Sequence, residues 1–482
     1  MPELRPYQVA GVEFLREAYE DPWARVRLLC DEMGLGKTPQ ATMAWPGSPW
    51  DTPEPGVVVV CPAGLRSVWQ RHVREWRPDL RPVVVRDTSE IQPPRIGEVV
   101  IVSPDALGWA AGAEAKGWRG EGAITAATSL RRFQAGLASL GDRLVITIDE
   151  AHRLKGATAQ KASTVGAFVR PAVARGATCF ALTATPMPRD AADIWCLAVR
   201  LGIEGHPLAW RGRSQAGWQQ WARANGRAGR WTCAATPASP LDHPDALGHL
   251  LLRRLVADHL PEIPPPTHAI RLVSISAEIR SEADEILRHA CASIGVDIRR
   301  VSRESVDGPD EVDEKLFREI GRTRRGDLAK METLVAAAKI PAVLEEVERC
   351  QREGEPVLVY SEHRAPIDAL AKAGHPVIVG GVPQKKRAAI ADSFQDGEVT
   401  VLGFTGAGRE GITLTRASTF IEADTNWSAD DRDQALGRAH RFGREGSVSV
   451  IHVLADHPVE RLKMRVLRRK RTFKLAALGS SL

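Results

Sequence analysis

Short, Val-rich apolar runs alternate with helix-patterned stretches through the first part of the chain. Val57–Val60, Val83–Val85, Val99–Val102, Leu144–Ile148 and Cys179–Leu182 lack the apolar–polar alternation of a half-exposed strand. They therefore predict strands buried on both faces, as in a parallel sheet. Between the first two runs, Leu65, Val68, Trp69, His72, Val73 and Trp76 recur at helical spacing. The alternation returns after Pro356 with Val357–Tyr360, Val377–Val379, Val399–Phe404, Phe420–Ala423 and Val448–Leu454. This pattern predicts an α/β protein of parallel sheets whose ligand groups sit at the carboxyl ends of strands.

Three strand ends in the first half carry candidate chemistry. The apolar run Val26, Leu28, Leu29, Cys30 leads into Asp31-Glu32-Met33-Gly34-Leu35-Gly36-Lys37-Thr38, followed by a helix-competent stretch from Pro39 to Trp45. Strand, glycine loop, Lys-Thr and helix is the layout that cradles a triphosphate: backbone N–H groups close round the phosphates at a positive helix end. Lys37 would reach the β- and γ-phosphates and the Thr38 hydroxyl would take a place on Mg²⁺. One position departs from the general G-x-x-x-x-G-K-[ST] pattern, because Asp31 stands where the first glycine belongs. The second strand end is Asp149-Glu150-Ala151-His152, whose adjacent carboxylates suit Mg²⁺ binding by Asp149 and orientation of an attacking water by Glu150. The third, Thr183-Ala184-Thr185-Pro186, offers two hydroxyls that either sense a γ-phosphate or cap the next helix.

Composition narrows the class. A chain of 482 residues is too long for one ordinary core, and 43% hydrophobic and 26% charged residues are globular values. No run approaches the ~18 apolar residues of a membrane span, and Met1-Pro2-Glu3-Leu4-Arg5 is no signal peptide. Seven scattered cysteines without a C-x-x-C pair argue against a zinc module and suit a reducing compartment, cytoplasmic or nuclear. With a net charge of only +5, a nucleic-acid footprint must come from local basic clusters.

The order of motifs resembles helicase superfamily 2, and within it the Swi/Snf-type double-stranded-DNA translocases. Leu4-Arg5-Pro6-Tyr7-Gln8 resembles the adenine-recognition element of that family, whose own phosphate loop reads D-E-M-G-L-G-K-T and so accommodates Asp31. Asp149-Glu150-Ala151-His152 with Lys155 matches D-E-A-H-x-x-K, and Leu251-Leu252-Arg253-Arg254 with Leu260-Pro261 resembles the end of the family's first lobe. Val59–Pro62 with Trp69 and Trp76, and Ile101–Pro104, resemble DNA-tracking motifs. In the second half, Val357–Ser361, Gly380-Gly381, Thr405–Leu414 and the series Trp427, Gln434, Arg438, His440, Arg441, Gly443 follow the family pattern. Ser428-Ala429, Arg444, Arg409 and Arg189 depart from it.

The resemblance implies two RecA-like parallel-sheet lobes with helical insertions and protrusions between and on them. The expected division is a first lobe over 1–260, a linker and helical protrusion over 261–348, a second lobe over 349–455 and a basic brace helix or tail over 456–482. Within the first lobe, residues 203–250 interleave four tryptophans with arginines, which either grip a phosphate backbone or pack a small helical insertion. The basic C-terminal run braces the lobes, touches DNA or is a solvated tail, with the brace ranked first.

The resemblance also implies ATP contacts at Arg5, Tyr7, Gln8, Met33, Gly34, Leu35, Gly36, Lys37, Thr38 and Gly411, with Mg²⁺ on Thr38 and Asp149. Catalysis would rest on Lys37, Asp149, Glu150, Gln434, Arg438 and Arg441, the last two facing one way on a helix as arginine fingers worth ~10³–10⁵ in rate. DNA contacts are expected at Pro62, Arg66, Ser103, Ser361, His363, Arg364, Thr405 and Gly406. The function so implied is an ATP-dependent translocase on double-stranded DNA that remodels forks, recombination intermediates or protein–DNA complexes. It would act as a bare monomeric motor, without membrane, beside recombination or replication proteins. The alternatives are a strand-separating DNA or RNA helicase of the D-E-A-H type and a nucleotide-gated DNA-binding scaffold with little turnover.

Overall fold

The computed structural model describes residues 2–21, 25–48, 50, 52–116, 118, 120–154, 160–185, 197, 201, 250–293, 295, 325–408, 412–424, 429–441, 443–444, 446–465 and 467. The chain divides into two compact units, one running to His259 and the other from Leu260.

The first unit is a seven-stranded sheet with every pairing parallel. Its strands are β1 (Val26–Leu29), β2 (Gly56–Val60), β3 (Arg81–Val84), β4 (Glu98–Val102), β5 (Leu144–Asp149), β6 (Thr178–Leu182) and β7 (Leu251–Leu252), in the order β3-β4-β2-β5-β6-β1-β7. Helices α1 (Pro6–Arg16), α2 (Lys37–Ala44), α3 (Arg66–Trp76), α4 (Pro104–Ala115), α5 (Glu121–Leu140) and α6 (Gln160–Val173) belong to it. All of β1, β2, β4 and β6 is buried, as unalternating Val-rich runs require when both faces of a sheet are covered. On one face Val57, Val59, Val99 and Ile101 pack with Val12 and Leu15 of α1, Trp69 and Val73 of α3, and Trp45 just past α2.

The second unit holds β8 (Thr267–Val273), β9 (Val357–Tyr360), β10 (Val377–Ile378), β11 (Val401–Phe404), β12 (Thr419–Glu422) and β13 (Ser449–Ala455), again all parallel, in the order β10-β11-β9-β12-β13-β8. Its helices are α7 (Ala277–Ser293), α8 (Arg325–Ala338), α9 (Ile340–Arg352), α10 (Arg364–Lys372), α11 (Gln384–Gln395) and α12 (Ala429–Leu436). Alternate residues of a strand feed two cores: Leu358, Tyr360, Leu402 and Phe404 on one face, Val357, Val359 and Val401 on the other.

One expectation changes here and one alternative drops out. The stretch expected to be linker and protrusion contributes β8, paired along its whole length with β13, and α9, whose Ala342, Val343, Val347 and Cys350 cover the second sheet. Residues 458–465 are helical, and Val459 and Leu462 pack with Ala283 and Leu287 of α7 and Met331 and Val335 of α8. Lys463 in that helix is buried and paired with Glu332 at 2.7 Å, so this part of the basic run is not a solvated tail. The Trp/Arg-rich stretch 203–250, apart from Leu250, lies outside the described residues. Among the described residues no helix is long and apolar enough to cross a membrane.

Candidate functional site

Four neighbouring strands of the first sheet, β5, β6, β1 and β7, deliver the candidate site from their carboxyl ends. Pairing aligns Asp149 with Leu182, Leu182 with Leu29, and Leu29 with Leu252, so the segments that follow leave the sheet side by side. At the end of β1 the chain turns through Gly34 (φ 95°) and Gly36 (φ 71°), both left-handed, and enters α2 at Lys37. A side chain at Gly36 would stand 2.4 Å from the Gln8 Nε2 atom, which itself donates to the Leu35 carbonyl at 3.3 Å. Gln8 of the expected adenine element therefore lies directly on the glycine loop. Its Oε1 accepts from the Arg5 backbone N–H at 2.9 Å, closing the first turn of α1.

The Lys37 ammonium donates to the Asp31 carbonyl at 2.7 Å and the Glu32 carbonyl at 3.2 Å. Burial lowers its pKa against the raising influence of Asp31, Glu150 and Asp149, which puts the β5 carboxylates within electrostatic reach of the loop. Asp149 accepts from the Trp69 indole N–H at 2.8 Å and from the Glu150 backbone N–H at 2.9 Å. Burial, then the Glu150 charge, push its carboxyl up to about 6, opposed by the Trp69 bond. Glu150 has φ 50°, a left-handed conformation for a side-chain-bearing residue. Its carboxylate meets His152 Nδ1 at 3.2 Å, and the same Nδ1 lies 3.1 Å from the Thr183 hydroxyl, which also accepts from the Thr185 N–H. Thr183 thus ties the end of β6 to the carboxylate pair at the end of β5.

A half-buried Asp149 beside Glu150, with the Lys37 ammonium as the nearby cation, is a donor set that a hard divalent ion would neutralise. Mg²⁺ ordinarily takes one or two protein oxygens and completes its shell with phosphate and water. The Asp149 carboxylate with the Thr38 hydroxyl at the start of α2 fits that demand. Among the described residues no cluster of three or more His, Cys, Asp or Glu forms an all-protein metal cage.

The most connected side chain of the site has no role in the sequence reading. Arg254, just past β7, donates to both oxygens of the fully buried Asp31 at 2.9 and 2.5 Å, to Gln40 Oε1 at 2.6 Å and to the Tyr7 carbonyl. Its guanidinium also stands over the Tyr7 ring at 5.5 Å. The departure at Asp31 is thereby explained: its carboxylate anchors the glycine loop to Arg254 and Gln40.

In the second unit, Gln434 is buried on α12. Helix α12 ends at Leu436, so Arg438 and Arg441 lie in the following turns and not on a helix as expected. They still converge: Arg438 donates to the Ile412 carbonyl and Arg441 to the Thr413 hydroxyl, each at 3.3 Å. Burial lowers the Arg441 pKa. Arg444, where the family pattern has Gln, is a buried structural hub that donates to the carbonyls of Thr415, Ala417, Gly446 and Ser447. Gly411, Lys155 and Trp427 lie outside the described residues.

The expected DNA contacts divide by exposure. Arg364 is exposed and pairs with Asp368 at 3.2 Å. His363, Arg66 and Gly406 are half-buried, and Arg66 donates to the carbonyls of Ala63 and Val85, whereas Pro62, just past β2, is buried. Ser103 and Ser361 do not present their hydroxyls. Ser103 is buried and caps α4 through the Ala106 N–H, whereas the buried Ser361 hydroxyl donates to Asp424, with the His363 carbonyl 2.7 Å from the same oxygen. Thr405 is buried as well. Trp69 and Trp76 of the same motif as Pro62 are buried in the core.

Comparison with known proteins matches residues 7–294 to the SNF2-related domain and residues 338–443 to the helicase conserved C-terminal domain. The chain is 24% identical over 97% of its length to the Bos taurus DNA annealing helicase and endonuclease ZRANB3, covering 40% of that protein. It is likewise 24% identical over 97% of its length to a Caenorhabditis elegans SWI/SNF-related matrix-associated actin-dependent regulator of chromatin subfamily A-like protein 1 homolog, covering 61% of it. The chain therefore spans less than two thirds of these relatives. The Sulfolobus solfataricus SWI2/SNF2 ATPase core in complex with dsDNA aligns with TM-score 0.42 and 17% identity over 99% of this chain and 94% of that one. The letters D-E-A-H do not carry a DEAH-type assignment, because the model that matches is the SNF2-related one. With more than half of its residues matched by that model, the chain belongs to the SNF2-related family of superfamily 2 ATPases.

Proposed function

We propose that the chain is a DNA-dependent ATPase that translocates on double-stranded DNA and so remodels DNA structures or protein–DNA complexes. The observation that carries this reading is the gathering of the Gly34–Thr38 loop, the Asp149–Glu150 pair and Thr183 on adjacent strand ends of one sheet. Backbone N–H groups of the loop and the start of α2 would hold the phosphates, Lys37 would leave its two loop carbonyls for the β- and γ-phosphates, and Tyr7 with Gln8 would hold the adenine. Mg²⁺, held by Thr38 and Asp149, would supply charge neutralisation between the phosphates. Glu150, fixed by its backbone conformation and by His152, would orient the attacking water. Gln434, Arg438 and Arg441 are the residues of the second unit that we assign to hydrolysis, the arginines as cations suited to offset charge that develops on a γ-phosphoryl group.

The names of the relatives, a DNA annealing helicase and a chromatin-regulator homolog, support DNA as the track. Contacts through backbone phosphates would give little sequence preference and a steep salt dependence. Steady-state ATPase with duplex DNA, single-stranded DNA and RNA side by side tests the reading. Duplex DNA should stimulate most; stimulation by RNA alone would overturn it. Unwinding of a forked substrate at a rate matching ATP turnover would instead favour strand separation.

A further inference from the structure

We propose that Arg254 is a positioning residue of the nucleotide site, holding the phosphate loop and the base-recognition turn in one geometry through the segment Leu251–His259. The proposal rests on the reading of Gly34–Thr38 and Tyr7–Gln8 as parts of an ATP site. That segment is laced to the loop along its backbone. The Cys30 N–H donates to the Leu252 carbonyl at 2.7 Å, the Glu32 N–H to the Arg254 carbonyl at 2.9 Å, and the Val256 N–H to the Glu32 carboxylate at 2.8 Å. The guanidinium then reaches both halves of the site. Towards the phosphates it grips Asp31 with two bonds and Gln40 with one, and Gln40 Nε2 in turn donates to the Leu35 and Gly36 carbonyls at 2.9 and 3.2 Å. Towards the base it binds the Tyr7 carbonyl and covers the Tyr7 ring, whose other neighbour from the same segment is His259, with ring centroids 5.2 Å apart.

Helix α1 closes over this arrangement at Gly11, where a Cβ would stand 1.9 Å from Gln40 Oε1 and 2.5 Å from Arg254 Nη2. A planar fork with five donors meets these acceptors at once, and a lysine ammonium at the same place keeps the charge but not the fork. Arg254 acts before and during the reaction alike, so its loss removes binding that ground state and transition state share.

The test is a KM-against-kcat measurement on Arg254→Lys and Asp31→Asn in the full chain, with ATP and GTP as substrates and duplex DNA saturating. Arg254→Lys is expected to raise KM for ATP about tenfold or more, the effect of one lost bond to a charged partner, with kcat within about twofold. It should also reduce the preference for ATP over GTP, because the Tyr7 turn loses its anchor. Asp31→Asn frees only the phosphate side, so KM should rise with base preference retained; the double variant should then be no worse in KM than Arg254→Lys. Arg254→Lys with wild-type KM and base preference would overturn the proposal. If Arg254→Lys fails to fold, Asp31→Asn with unchanged KM overturns it equally. A Lys37→Ala variant separates the two levels: its undiminished ATPase would remove the nucleotide site itself, whereas its collapse beside a normal Arg254→Lys enzyme would remove only the role of Arg254.

Discussion

Trp69 on α3 hands its indole N–H to the Asp149 carboxylate at the end of β5, 2.8 Å away across 80 residues of sequence. The indole is itself fixed, because it stacks on Trp45 with centroids 6.2 Å apart and planes 20° apart, and Trp45 donates to the hydroxyl of Thr147, two residues before Asp149 on β5. One oxygen of the proposed metal ligand is thus aimed by a buried aromatic pair. Trp69→Phe keeps the ring and the stacking and removes only the donor. A hydrogen bond to a charged group contributes about 1.5–3 kcal/mol, so apparent Mg²⁺ affinity in the ATPase reaction should fall roughly 10- to 100-fold, alongside a modest drop in melting temperature. A Mg²⁺ titration identical to wild type would reduce Trp69 to packing.

Gly36 should tolerate no side chain. Its φ of 71° is costly for any residue with a Cβ, and that Cβ would meet Gln8 Nε2 at 2.4 Å. Gly36→Ala either pushes Gln8 off the loop or bends the loop away from the phosphates. Nucleotide affinity should drop by at least an order of magnitude, roughly, while circular dichroism stays that of a folded protein. Equilibrium titration with a fluorescent ATP analogue measures it, and a wild-type Kd would show that the loop adapts.

The parts of the fold legible in the sequence are those whose signal is local. Val57–Val60 and Val99–Val102 announce doubly covered strands by composition alone, and the loop at Gly34–Thr38 needs only its own spacing. Thr267–Val273 gave no such signal because it is an edge strand, mostly exposed, entered directly from a run of prolines. Arg254 and Asp31 are separated by 223 residues, and nothing in either neighbourhood names the other. The hydroxyls of Ser103 and Ser361 were placed correctly at strand ends, but which way each turned depended on Ala106 and Asp424, and both turned inward. Arg438 and Arg441 show the opposite case: the helix expected to align them ends early, yet the turns bring both to Ile412–Thr413.

Glu460 makes stability depend on pH in a defined direction. Its carboxylate is 2.9 Å from the fully buried Lys339 ammonium, with Lys463 beyond it at 3.9 Å. Burial alone would push the carboxyl up, but Lys339 and Lys463 outweigh it and hold it below the ordinary glutamate range. A depressed carboxyl contributes stability above its unfolded value, about pH 4.3, and loses that contribution as pH falls through the lower folded value. Glu460→Gln strands Lys339, so at neutral pH the protein should lose about 3 kcal/mol. The gap between the two proteins should narrow once pH drops below about 4. Urea unfolding of both at pH 7 and in acid measures it; a gap that widens in acid would contradict the assignment.

Ser361 and Arg364 lie three residues apart yet should fail in different ways. The Ser361 hydroxyl is buried and donates to Asp424, whose carboxylate also accepts from the Glu362 and His363 N–H groups at 3.0 and 3.4 Å, so this cluster sets the turn after β9. Ser361→Ala should cost about 1–2 kcal/mol of stability and leave the salt dependence of DNA binding unaltered. Arg364 is exposed, and its pairing with Asp368 at 3.2 Å is a surface one that phosphate can displace. Arg364→Ala should therefore leave the melting temperature unchanged, weaken duplex binding without regard to sequence, and lower the slope of log K against log salt by about one. Binding titrations at several salt concentrations decide between them, since an unaltered slope in Arg364→Ala would take that guanidinium off the DNA path.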